Sequence, residues 1–224
     1  MQTDAETMQT GAKTMQTGTS GPQTTSPKPT GGLTRRLAEG DARLDHMVGR
    51  LRGRPAVDRI AYGISQAANH SALWHGINLI DALVGVAQHD PPRRRQALRR
   101  SVVQGIEQGI VNGPVKAVVK RKRPTHDLAH PHQLRVPVTS SFPSGHASAG
   151  ACAAELLTAD LGHRRVWWIL AILVGWSRVH VGVHHPSDVL AGWVIGATSA
   201  HTARRLWAPP DVDTTADPTR SAVR

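Results

Sequence analysis

The chain is poor in cysteine, in Phe and Tyr, in acidic side chains and in long apolar runs, and each shortage excludes something. Cys152 is the only cysteine, so no disulfide framework forms within the chain. Set among Gly150, Ala151, Ala153 and Ala154, it reads as a packed, inert thiol. One Phe and one Tyr do not furnish the spread of stacking rings that single-stranded nucleic acid needs on a basic face, and no nucleic-acid partner is expected. The thirteen His residues include no His-Glu-x-x-His motif and no Cys/His set with zinc spacing. Asp and Glu number 16 against 27 Lys and Arg, a net charge of +11. That balance suits an anionic partner such as a phosphate ligand or an acidic membrane surface. The longest apolar run, 166–176, extends roughly 16 Å at about 1.5 Å per residue. A hydrocarbon core is about 30 Å thick, so this run alone does not span one.

What is present divides the chain into four. Residues 1–32 repeat every seven positions (Met1-Gln2-Thr3, Met8-Gln9-Thr10, Met15-Gln16-Thr17). Only Met is apolar in the repeat, which excludes a coiled coil and favours a disordered tail. No apolar stretch of signal-peptide type follows the start. Residues 33–59 form a basic amphipathic helix, with Leu33, Leu37, Leu44, Met47, Val48 and Leu51 among seven Arg residues. It suits either an anionic membrane surface or packing on the domain.

Residues 60–207 form the domain. Helical patterns cover 60–89, then 96–122 after a break at Asp90-Pro91-Pro92, with Pro124 as the stop. A loop rich in Pro and His follows. Further helices are expected over 145–160, ended by Gly162, then 166–179 and 187–206. No segment alternates with period two, so the fold reads as all-α, a bundle of about five core helices. Residues 208–224 form a second disordered tail.

Other features favour a transmembrane bundle. Trp167, Trp168, Trp176, Trp193 and Trp207 sit within or at the ends of the last two helices, as interface anchors do. The small residues from Ala147 to Ala154 permit close helix packing. Gln104, Glu107, Gln108 and Asn112 weigh against it. With alternating loops, Arg93, Arg94, Arg95, Arg99, Arg100, Arg164, Arg165, Arg204 and Arg205 share one side. The positive-inside rule then makes that side cytoplasmic and the chemistry-bearing side extracytoplasmic. The basic segment 35–59 breaks the rule by falling on the outer side.

Three clusters carry chemistry. In the first, Lys116 and Arg123 lie seven apart, two turns along one helix face, followed by Pro124; two cations so placed grip one anion. A solvated, dipole-compensating helix end is the plainer account. In the second, Pro143-Ser144-Gly145-His146 opens a helix, whose free N–H groups make a phosphate seat, with Ser144 equally suited to an N-cap. In the third, Ser177-Arg178 precedes His184 and Asp188: an Arg for phosphate oxygens, a His for nucleophile or base, and a carboxylate to orient it.

Taken together, Lys-x6-Arg-Pro, Pro-Ser-Gly-His and Ser-Arg-x5-His-x3-Asp resemble the three-part signature of the type 2 phosphatidic acid phosphatase (PAP2) superfamily, over about residues 60–206. That resemblance implies a PAP2/haloperoxidase-like helical bundle with its site at one end. It implies that Lys116, Arg123 and Arg178 hold the phosphate oxygens and that Ser144 and the Gly145 amide complete the cradle. His184 attacks phosphorus to give a phosphohistidine, Asp188 orients it, and His146 is the general acid and base. Three cations leave no requirement for a metal or other cofactor. The activity so implied is a membrane phosphatase acting on a lipid phosphate or diphosphate, with an isoprenoid carrier phosphate or a prenyl-phospho-sugar of envelope building favoured. A broad-specificity acid phosphatase and a non-catalytic lipid-phosphate-binding protein are the alternatives. His180 and His185 fall outside the signature.

Overall fold

The computed structural model describes residues 32–124 and 139–207. The expected tails lie outside the described residues, apart from Gly32, as does most of the loop before Ser140. Among the described residues every long element is helical. They are α1 (Gly32–Gly49), α2 (Pro55–Ala67), α3 (Ala72–Ala87), α4 (Pro91–Ile110), α5 (Gly145–Leu161), α6 (Arg164–His180) and α7 (Pro186–Leu206). Helices α3 to α7 are the five-helix bundle that the periodicity implies.

Four boundaries differ from expectation, each for a local reason. The basic helix over 33–59 is two helices. The chain turns at Gly53, with φ +81°, and Pro55 starts α2 at a position where a missing N–H costs nothing. The helix over 60–89 breaks between α2 and α3, where His70 and Ser71 take left-handed backbone (φ +51° and +59°). Helix α4 begins at Pro91 rather than Gln96. Asp90 caps it by accepting the Arg93 N–H at 3.0 Å, with two prolines in the first turn. At its far end Pro114 lies in a single π turn, Val111–Val115, and helix persists only to Val118. The chain then runs extended to Pro124. It is tied to the segment before α5 by Ser141 N–H to the Arg121 carbonyl at 3.0 Å and Ser141 Oγ to the Lys122 carbonyl at 3.1 Å.

Helix α5 is the axis of the bundle, buried from Ala147 to Ala154. Its small side chains let α7 approach until backbones touch. A Cβ on Gly192 would stand 2.6 Å from the Ser144 carbonyl oxygen, and one on Gly196 2.0 Å from that of Ser148. Gly192 and Gly196 are four apart on one face, the spacing of close helix contact. On the other side Trp74, Ala171 and Val174 close the core over Ala149, Ala153 and Leu157.

Polarity is inverted across much of this bundle. Arg100 is buried and donates to Asn78 and Asp160 at 2.8 Å each, and to Asp81. Gln104 and Glu107 also face inward, the latter accepting from Ser148 Oγ. Outward stand Leu79, Ile80 and Leu83 on α3, Leu98, Val102, Ile106 and Ile110 on α4, Ile169 and Ile172 on α6, and Leu190 and Val194 on α7. No helix among the described residues is long and apolar enough on average to cross a membrane. The average is low because it counts the inward polar side chains with the outward apolar ones.

Candidate active site

The three clusters meet at one end of the bundle, where α4 finishes, α5 begins, α6 ends and α7 begins. His184 lies in the short turn between α6 and α7 and is buried. Its Nδ1 is 2.7 Å from the Ser141 carbonyl oxygen, which only accepts, so Nδ1 carries the proton and Nε2 the lone pair. Arg123 Nη1 stands 3.5 Å from that Nε2. Asp188, expected to orient the ring, has Oδ2 3.7 Å from Nδ1, beyond hydrogen-bond reach. Its influence there is one of charge, and the Ser141 carbonyl makes the closer contact. The Asp188 carboxylate accepts from the His185 N–H at 2.9 Å and from Arg121 Nη1 at 2.6 Å. The first of these is the N-terminal cap of α7.

The cations converge by a route different from the one the spacing suggests. Lys116 and Arg123 do not share a helix face, because helix ends at Val118. The extended turn after it brings Arg123 round, and Lys116 remains within electrostatic reach of Arg123, Arg178 and Asp188. Arg123 is anchored on carbonyls, donating to Val183 at 2.7 Å and to Thr139 and Ser140 at 3.3 Å each. Arg178, in the last turn of α6, is buried and donates through Nη1 to Ser65 Oγ, while its Nε has no partner among the described residues.

Ser144 is an N-cap: its Oγ accepts the Ala147 N–H at 3.4 Å, and its own N–H donates to the Asp188 carbonyl at 3.0 Å. That second bond locks the starts of α5 and α7 together. The N–H groups of Gly145 and His146 open α5 and have no intrahelical acceptor. Gly145 is glycine because Asn112 leaves no room, its Oδ1 lying 2.7 Å from where a Cβ would be. His146 Nε2 is 3.0 Å from Asn69 Oδ1. Burial pushes the His184 imidazole down to about 4; Arg178 and Arg123 add to that and the Asp188 charge opposes it. His184 is therefore neutral at ordinary pH, with its Nε2 lone pair facing Arg123 Nη1.

Comparison with known proteins bears on this arrangement. The family model described as "PAP2 superfamily" matches residues 102–209. Decaprenylphosphoryl-5-phosphoribose phosphatase of Mycolicibacterium smegmatis is 34% identical over 155 residues, 68% of this chain and 80% of that one. The chain belongs to the PAP2 superfamily. Among solved structures, a transmembrane PAP2-type phosphatidylglycerolphosphate phosphatase from Bacillus subtilis superposes with TM-score 0.60 at 25% identity, covering 76% of this chain and 86% of its own. Aquifex aeolicus LpxE has the same fold, with TM-score 0.58 at 19% identity over 73% of this chain and 94% of its own.

In this PAP2 chain several site residues escape sequence reasoning. Ser141 acts through its carbonyl, which no side-chain pattern reveals. Arg121 hides in the variable part of Lys-x6-Arg, yet binds Asp188, Ser187 Oγ (2.7 Å) and Asp41 (2.6 Å). Ser65 and Asn69 come from α2 and the turn after it, far from the signature. His180 is buried against Asp58 at 2.7 Å, and His185 Nε2 lies 3.3 Å from the Lys122 carbonyl oxygen; neither faces His184 through a hydrogen bond.

Proposed function

We propose that this protein is a membrane phosphatase that removes phosphate from a prenyl-phospho-sugar or a related isoprenoid carrier phosphate through a phosphohistidine on His184. The observation that carries the reading is the His184 ring itself. With Nδ1–H held by the Ser141 carbonyl at 2.7 Å, Nε2 is bare and lies beside the Arg123 guanidinium. A neutral imidazole beside fixed cations is suited to in-line attack on a phosphate whose oxygens gain charge in the transition state.

Lys116, Arg123 and Arg178 hold the non-bridging oxygens, and the first N–H groups of α5 complete the seat. The bond from phosphorus to Nε2 forms as the bond to the ester oxygen breaks. His146 gives that oxygen its proton, then takes one from the water that releases phosphate. Asp188 stabilises the ring once it is charged. The substrate class draws on the decaprenylphosphoryl-5-phosphoribose phosphatase of M. smegmatis, of whose length the chain covers 80%.

In this reading the chain is a multi-pass bundle in a bilayer, supported by the outward apolar side chains of α3, α4, α6 and α7 and by the transmembrane PAP2 structure it resembles. The gathering of Arg94, Arg95, Arg164, Arg165, Arg204 and Arg205 toward the opposite end supports a site end that faces away from the cytoplasm, with the basic segment 35–59 the exception to the rule. Residues 60–207 are the catalytic domain and 33–59 its basic membrane-surface approach.

The test is phosphate release in detergent without divalent metal, from a prenyl-phospho-sugar phosphate, a polyprenyl diphosphate, phosphatidate and a soluble phosphomonoester. Turnover of the prenyl substrates with kcat/KM well above that of the soluble ester, lost in His184→Ala, supports the reading. Equal turnover of the soluble ester replaces it with a broad acid phosphatase. Binding of the lipid phosphate without turnover replaces it with a carrier-lipid binder.

A further inference from the structure

The turn between α2 and α3 brings a residue of no recognised motif against the second histidine. His146 Nε2 lies 3.0 Å from Asn69 Oδ1. The Asn69 Nδ2 faces Gln66 Oε1. With its nitrogen on that side, the amide presents oxygen to His146, and an oxygen that only accepts requires hydrogen on Nε2. The backbone is shaped to put Asn69 there. Two consecutive residues other than glycine, His70 and Ser71, adopt left-handed conformations immediately after it. Such backbone persists where surrounding structure imposes it, and it gathers at functional sites. Ser65, four residues earlier in α2, supports Arg178. Helix α2 and its turn therefore brace both the phosphate cradle and the proton-transfer group.

We infer that Asn69 is the positioning residue of His146: it holds Nε2–H and leaves Nδ1 to exchange the proton with the ester oxygen. The inference rests on the phosphatase reading above and assigns the working nitrogen within it. In the first half-reaction a proton brought in by the bound phosphate monoanion sits on Nδ1 and passes to the leaving oxygen as the phosphorus–oxygen bond breaks. In the second the ring recovers a proton at Nδ1 from water as hydroxide displaces His184 from phosphorus. The Nε2 proton stays on the ring throughout, donated to Asn69 Oδ1. Without Asn69 the ring is free to rotate and to place its hydrogen on the wrong nitrogen, and general-acid help is lost.

A defect in general-acid catalysis has a signature that a defect in packing lacks: it depends on how badly the leaving group needs a proton. The experiment compares kcat/KM, which reports the leaving-group step, for hexyl phosphate and p-nitrophenyl phosphate in detergent. Asn69→Leu is expected to cost on the order of 100-fold on the alkyl ester, the usual scale of proton-transfer catalysis, and less than a tenth of that loss on the aryl ester. Asn69→Asp, which keeps the acceptor, restores most of the alkyl activity. As a second readout independent of turnover, ring-15N NMR of His146, assigned against His146→Ala, shows hydrogen on Nε2 in the parent protein and a mixture of tautomers in Asn69→Leu. Equal losses on the two esters, or a parent ring with a bare Nε2, overturn the inference while leaving the phosphatase reading intact. A parent protein inert toward both esters and toward every prenyl phosphate sinks the phosphatase reading, and this one with it.

Discussion

Asp41 and Ser187 stand 146 positions apart, yet one carboxylate oxygen of Asp41 accepts the Ser187 N–H and the other its hydroxyl, both at 2.7 Å. The second oxygen also accepts from Arg121 at 2.6 Å. A buried acid on the basic amphipathic helix thus ties α1 to the first turn of α7, and Arg121 carries the tie on to Asp188. Leu33, Leu37, Leu44 and Met47 remain exposed on the same helix.

Asp41→Ala strips Arg121 of one partner and leaves the Ser187 N–H without its acceptor. Unsatisfied buried groups cost about 1–3 kcal/mol, so the midpoint of thermal unfolding in detergent should fall. Arg35→Ala, which removes only an exposed pair with Glu39, is expected to leave the midpoint in place. Equal midpoints for the two variants would show that α1 is not held through Asp41.

The phosphohistidine is open to direct capture. Rapid quenching with radiolabelled substrate should give an alkali-stable, acid-labile label on the parent protein and none on His184→Ala. His146→Ala, offered an aryl phosphate that leaves unaided, should accumulate more label than the parent, because water activation slows by roughly 100-fold. Label that survives His184→Ala places the nucleophile elsewhere.

The acid limb of kcat/KM reports His184. Its value is lowered to about 4, so attack by bare Nε2 persists well below neutral pH and fails only as the ring gains a proton near that value. Arg123 lowers this value and Asp188 raises it. Relative to the parent, the limb should therefore move to higher pH in Arg123→Ala and to lower pH in Asp188→Asn, measured on one substrate so that its own titration cancels. The same depression weakens the fold in acid. Between the ordinary 6.5 and about 4 the unfolded chain binds a proton at His184 that the folded one refuses, so stability falls as pH drops through that window.

Gly196→Ala tests the axis of the bundle. The added Cβ meets the Ser148 carbonyl at 2.0 Å with backbone, not a flexible side chain, in the way. Helices α5 and α7 must separate, at a cost of roughly 3 kcal/mol. Because Ser144 N–H bonds the Asp188 carbonyl across this contact, activity should fall with stability. At Gly105, where a Cβ meets nothing within 4 Å, alanine is expected to be harmless.

The sequence by itself determined the helical class, the helices over 145–160, 166–179 and 187–206 to within two residues, and the three clusters that meet at the site. These are local matters: periodicity, Ser144 as cap, Gly162 as stop and Pro186 at a helix start. The membrane question was blurred because hydropathy averages around a helix, whereas Arg100, Gln104 and Glu107 point in and Leu98, Val102 and Ile106 point out. Only the tertiary structure separated those faces. It alone brought Asp41 to Ser187, the Ser141 carbonyl to His184 and Asn69 to His146, since contacts between distant residues depend on how helices pack and leave no periodic trace in the chain. It also decided how Lys116 and Arg123 come near one another. A helix face would have done it, but Pro114 and the extended pairing of Arg121 with Ser141 ended the helix first.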